Sequence, residues 1–127
     1  MLTFPKDFVW GSSTSGPQTE GRMIGDGKGE NLWDYWFSQE NYRFHNEIGP
    51  EKTSTFYEHW EQDIDLLVET GHTAFRTSIQ WSRLFPNGRG PVNQVGVEFY
   101  RKVFERIQSK GIRLIVNLYH FDLPFAL

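Results

Sequence analysis

The sequence predicts an α/β fold built on a parallel sheet, and three observations carry that expectation. Short apolar runs that read as strands alternate with two long amphipathic segments of helical period, in the order strand, long loop, helix, strand, helix, strand. The apolar runs are nearly continuous rather than alternating, as in strands buried on both faces. Right-handed strand–helix–strand connections then place such strands side by side. These units begin either an open doubly wound sheet or a closed barrel, and periodicity does not separate the two.

The elements follow in order. Phe8-Val9-Trp10-Gly11 reads as the first strand, stopped by Gly and Ser. Residues 12 to 50 form a long loop punctuated by Gly25, Gly27 and Gly29, with a short helix over Leu32 to Gln39. A connection of that length is functional or disordered. From Thr53, the residues Phe56, Trp60, Ile64, Leu67 and Val68 share one helical face, and Gly71 supplies the stop. Thr73 to Trp81 is the second strand, followed by a turn at Pro86-Asn87-Gly88-Arg89-Gly90-Pro91. A second helix starts at the cap Asn93, carries Val97, Tyr100, Phe104 and Ile107 on one side, and closes at Gly111. Leu114 to Tyr119 is the third strand.

Bulk properties narrow the function classes. At 127 residues, the chain holds one core, and residues 1–127 are read as part of a single domain. Thirteen basic against sixteen acidic residues, without a basic block, argue against nucleic acid as partner. With no cysteine there is no disulfide framework or thiolate metal site, and His45, His59, His72 and His120 show no ligand spacing, so no metal and no cofactor is expected. No apolar run approaches the roughly 18 residues that cross a bilayer, and the N-terminus lacks a signal peptide's apolar core. The expectation is a soluble cytoplasmic protein with no membrane partner. Aromatics make up 17% of the chain, a content that serves core packing first and sugar stacking second.

The chemistry is written in four segments. Phe8-Val9-Trp10-Gly11-Ser12-Ser13-Thr14-Ser15-Gly16-Pro17-Gln18-Thr19-Glu20-Gly21 resembles the N-terminal signature of family 1 glycoside hydrolases. Asn31-Leu32-Trp33-Asp34, Phe75-Arg76-Thr77-Ser78-Ile79-Gln80-Trp81-Ser82-Arg83-Leu84-Phe85-Pro86 and Tyr119-His120-Phe121-Asp122-Leu123-Pro124 resemble the same family in the same order. The wording of the third segment is especially like bacterial members acting on 6-phosphorylated β-glycosides. The resemblance implies the first three strands and two helices of a (β/α)8 TIM barrel, left incomplete by this chain, from a parent that hydrolyses β-glycosidic bonds with retention.

It also implies residue roles. Gln18, at the barrel rim where active sites sit, would bind the glycone through an amide that both donates and accepts. His120, ending the third strand, would bond a hydroxyl of the same ring. Phe121 stands where most members have Trp, so an indole N–H is lost while apolar surface stays. Gly16-Pro17 replaces the usual small-plus-aromatic pair, leaving the local loop shape open. Arg76, inside an apolar strand, demands a buried partner: the catalytic nucleophile by resemblance, or an Asp or Glu of this chain. Trp33 and Trp81 are read as packing residues.

A retaining glycosidase needs two carboxyl groups about 5 to 5.5 Å apart, and the family carries them in an Asn-Glu-Pro and a Thr-Glu-Asn-Gly-like segment. Neither occurs here. Asn46-Glu47 is no substitute, and Glu20 and Asp122, though near the expected rim, are assigned no chemistry. The expectation is therefore a fragment without catalytic residues, inactive alone, holding part of the glycone wall. Two rival readings are a noncatalytic carbohydrate-binding or regulatory module and a nucleotide-binding protein using Gly25-Asp26-Gly27-Lys28-Gly29. The glycines of the latter neither follow a strand directly nor open a helix. Unpaired edges on strands one and three, beside Val116 and Leu118, are expected to drive self-association.

Overall fold

The computed structural model describes residues 2–127. Three parallel strands, β1 (Gly11–Ser13), β2 (Ala74–Ser78) and β3 (Arg113–Asn117), lie in the order β1-β2-β3. The helices are α1 (Gly16–Thr19), α2 (Leu32–Glu40), α3 (Phe56–Glu69), α4 (Trp81–Leu84) and α5 (Gln94–Ser109), with 3-10 turns at Asn41–Arg43 and His45–Glu47. The strand order and the two long helices match the sequence expectation. The one-turn helices α1 and α4 carry no periodic signal in the sequence.

Strand one differs from expectation. Pairing begins at Gly11, whereas the sequence pattern places the strand body at Phe8-Val9-Trp10. The reason is steric: a Cβ on Gly11 would stand 2.5 Å from the Ala74 carbonyl oxygen, so the glycine opens the strand by allowing close approach. The Trp10 carbonyl accepts from the N–H groups of Thr73 and Ala74, which ends the ladder there. Phe4, Phe8 and Trp10 instead form an exposed aromatic cluster, with ring centroids 4.5 to 4.6 Å apart.

Phe75 of β2 joins Phe56 and Ile64 of α3, Phe99, Tyr100, Val103 and Ile107 of α5, and Ile112 in one core between sheet and helices. Burying each such side chain contributes about 1.5 to 3 kcal/mol. Along β3, Leu114 packs against that core while Ile115, on the other sheet face, is 51% exposed. Val116 is half-buried and Leu118 is 75% exposed. Asn93 caps α5 by accepting from Val95 N–H and, through Nδ2, donates to the carbonyls of Asp26 and Arg83. No helix among the described residues is long and apolar enough to cross a membrane.

Candidate functional site

The carboxyl ends of the three strands carry three segments that meet. After β1, the chain turns into α1, whose Gly16 N–H donates to Ser78 Oγ at 2.8 Å. A Cβ on Gly16 would stand 2.4 Å from Gln80 Cγ and 2.9 Å from Glu20 Oε1, so Gly16 is needed because Gln80 fills that space. The loop after β3 is clamped to the loop after β1: Leu32 N–H donates to the Leu123 carbonyl and Phe125 N–H to that of Glu30. Asn31 closes a capping box with Asp34 at the start of α2, fixing that helix beside the site.

One cavity of about 290 Å³ opens between these segments, lined by Gln18, Trp33, Phe44, Ile48, Pro50 and His120 among others. Gln18 and His120, widely separated in sequence, therefore share one wall. Ser15 Oγ donates to Gln18 Oε1 at 2.6 Å, leaving the Gln18 amine free to donate. His120 is half-buried, and its N–H donates to Asp122 Oδ1 at 3.0 Å. Phe121, with a positive φ of 58° and 68% exposure, is not among the residues lining the cavity; its ring stands edge-on to His120 at 5.4 Å. Trp33 lines the cavity beyond a purely packing role, whereas Trp81 donates its indole N–H to the Gly88 carbonyl. Phe44, Ile48 and Pro50 were not singled out in the sequence, where they lay in a stretch of mixed polarity without period.

Arg76 lies behind this wall in β2, paired in register with Ser13 and Ile115. Its Nη1 donates to the Thr14 carbonyl at 3.2 Å and faces Ser13 Oγ at 3.5 Å, and its Nη2 is 3.5 Å from His120 Nδ1. Among the described residues, the ion pairs of the chain do not include Arg76. Its charge is thus available to a group outside these contacts.

Glu20 is a clamp. It is 2% exposed, and it accepts from Arg83 Nε and Gln80 Nε2 at 2.8 Å each and from Tyr100 OH at 2.8 and 3.1 Å. Arg83, fully buried, also donates to Asp26 Oδ2 at 2.9 Å and the Gly21 carbonyl at 2.8 Å, and its guanidinium lies 4.1 Å from the Tyr57 ring centre. Burial pushes the Tyr100 hydroxyl well above its usual value, and the Glu20 charge adds to that. Desolvation would weaken the Arg83 cation, but Glu20, Tyr100 and Asp26 outweigh it and raise its pKa. Asp122 is likewise occupied, accepting from Trp81 N–H at 2.6 Å as well as from His120. Both carboxylates serve as hydrogen-bond acceptors within the chain.

The glycine loop engages several of its own donors. Lys28 N–H donates to Asp26 Oδ1, Gly29 N–H donates to the Ser82 carbonyl, and the Lys28 ammonium pairs with Asp34. With Asp26 N–H donating to the Met23 carbonyl as well, these donors are engaged within the chain. Asn46 and Glu47 sit in an exposed 3-10 turn with positive φ, remote in kind from a catalytic carboxylate pair.

Comparison with known proteins places this geometry. The chain is 52% identical over 124 residues to the 6-phospho-β-glucosidase GmuD of Bacillus subtilis strain 168, covering 98% of this chain and 27% of that protein. It is 39% identical over 124 residues to β-glucosidase A of Thermotoga maritima, covering 98% and 28%. Among solved structures, the rice Os3BGlu6 β-glucosidase superposes with a TM-score of 0.88 at 39% identity, over 97% of this chain and 26% of that one. An aphid myrosinase superposes with a TM-score of 0.93 at 29% identity, over 98% and 27%. The chain thus spans about a quarter of the length of the relatives it matches, and its three-stranded sheet is an incomplete TIM barrel of their kind. The family model described as glycosyl hydrolase family 1 matches residues 1–127, and the chain belongs to that family.

Proposed function

We propose that residues 1–127 form the N-terminal part of a single (β/α)8 domain that hydrolyses β-glucosides or 6-phospho-β-glucosides with retention, and that this part supplies the wall holding the glycone. The observation that carries the reading is the meeting of Gln18 and His120 on one cavity from the ends of β1 and β3. Active sites of such barrels sit at that face. In this reading, the Gln18 amide and the His120 ring bond hydroxyls of the bound sugar, and Phe121 offers apolar surface at the cavity's margin. Arg76, with no carboxylate of its own, stands beside the nucleophilic carboxylate and keeps it ionised. The two carboxyl groups of the double displacement come from other segments of the domain. The chain alone holds sugar weakly and turns over nothing, since it lacks the positioned carboxylate pair, and Glu20 and Asp122 accept hydrogen bonds from Arg83, Gln80, Tyr100, Trp81 and His120 within the chain.

The test is a transplant. Residues 2–127 replace the matched segment of the Bacillus subtilis relative, and aryl β-glucosides with and without a 6-phosphate are assayed. The hybrid is expected to hydrolyse one of them, with Gln18→Ala and His120→Ala each lowering kcat/KM about ten- to a hundredfold, the effect of losing a buried hydrogen bond worth about 1 to 3 kcal/mol. An active hybrid indifferent to both substitutions would remove Gln18 and His120 from the sugar site.

A further inference from the structure

Two side-chain donors converge on one nitrogen of the His120 ring. Asn117 Nδ2 is 3.3 Å from Nδ1, and Arg76 Nη2 is 3.5 Å from it. A guanidinium has donors only. The Asn117 amide is held in the same sense, because its Nδ2 also donates to the Tyr119 carbonyl at 2.8 Å. Turning the amide over would set Oδ1 against that carbonyl oxygen. Nδ1 is therefore the accepting nitrogen, and the hydrogen of the neutral ring resides on Nε2. The ring's backbone is pinned as well, since His120 N–H is tied to Asp122, which in turn is anchored to Trp81 N–H.

We propose that Asn117 is a positioning residue which, with Arg76, fixes His120 as the Nε2–H tautomer. The ring then offers the cavity a donor and selects an acceptor, such as a hydroxyl oxygen, over an ammonium group. The last step rests on the glycoside reading; the tautomer does not. Strand β3 has no need of the Asn117 side chain, because its backbone carbonyl already accepts from Ile79 N–H at 3.0 Å.

The test is made on the 15N-labelled chain by long-range 1H–15N correlation, at a pH where imidazole is neutral, with His45, His59 and His72 as internal references. His120 is expected to show an unprotonated Nδ1 and a protonated Nε2. Asn117→Asp, which places an acceptor opposite Nδ1, is expected to raise the Nδ1–H population about tenfold, the weight of one hydrogen bond. Asn117→Ala and Arg76→Lys are read alongside, so that the outcome does not hang on one variant folding. A purely structural role would shift the melting temperature and leave the tautomer alone. A protonated Nδ1 in the unaltered chain, or an unchanged tautomer in all folded variants, overturns the proposal. If the tautomer is as stated and the hybrid enzyme ignores His120→Ala, the glycoside reading fails and this one stands.

Discussion

Replacing Arg83 by Met tests what holds the loop after β1 in place. The guanidinium is fully buried between Glu20, 2% exposed, and Asp26, 4% exposed, and makes three donor bonds of 2.8 to 2.9 Å. Met fills a similar volume and packs on Tyr57 and Phe99, so cavity formation is a minor part of the effect. What remains is two carboxylates buried without their cation. Breaking one buried pair costs about 3 to 5 kcal/mol, and with two carboxylates stranded the upper end applies. In urea unfolding followed by tryptophan fluorescence, with a slope of about 2 kcal/mol per M, the midpoint falls by roughly 2.5 M. Arg83→Lys keeps a charge but loses the planar fork, and is expected to cost about 2 kcal/mol. Adding Glu20→Gln to Arg83→Met should recover part of the loss, because the amide needs no counter-charge. A loss below about 1 kcal/mol for Arg83→Met at fixed protein concentration and unchanged slope would refute the claim that this network holds the loop.

Burial alone would raise the Asp26 carboxyl, but N–H groups of Lys28 and Met23 and the Arg83 charge outweigh it and hold the pKa below the ordinary 3.8. The contribution of Asp26 is therefore complete above that value and lost as pH falls through the lower folded one, so Asp26→Asn should destabilise at pH 7 and the difference should shrink in strong acid. Asp63 has the opposite sign: burial raises its pKa against a weaker pull from His59. Its favourable contribution exists below the ordinary 3.8 and disappears as pH rises through the raised value, so Asp63→Asn should raise the melting temperature at pH 7 and not at pH 3. The outer edges of β1 and β3, with Ile115 and Leu118 exposed, should drive self-association. Light scattering that shows a monodisperse 14.9 kDa monomer would contradict this.

The alternation of strands and helices was legible because it rests on local patterns. Asn93 capping, the stop at Gly71 and the apolar stripes of α3 and α5 are properties of short windows. The true start of β1 was not legible, since it depends on how closely Gly11 approaches Ala74, more than sixty residues away. The same holds for Arg83. In the chain it is one charged residue among Trp81, Ser82 and Leu84, and only the fold brings Glu20, Asp26 and Tyr100 around it. Glu20, visible as a carboxylate near the rim, proves to be a clamp for that reason. Gln18 and His120, singled out by motif resemblance, do line one cavity, whereas its apolar side, Phe44, Ile48 and Pro50, comes from an irregular loop whose course no periodicity reports.

The most direct measurement is a crystal structure of the hybrid enzyme with a slowly hydrolysed β-glucoside analogue bound. The proposed function predicts the sugar ring in the cavity between Trp33 and His120, with the Gln18 amide and His120 Nε2 each at about 2.7 to 3.2 Å from a hydroxyl oxygen. A sugar ring held elsewhere, with neither side chain in contact, would contradict it.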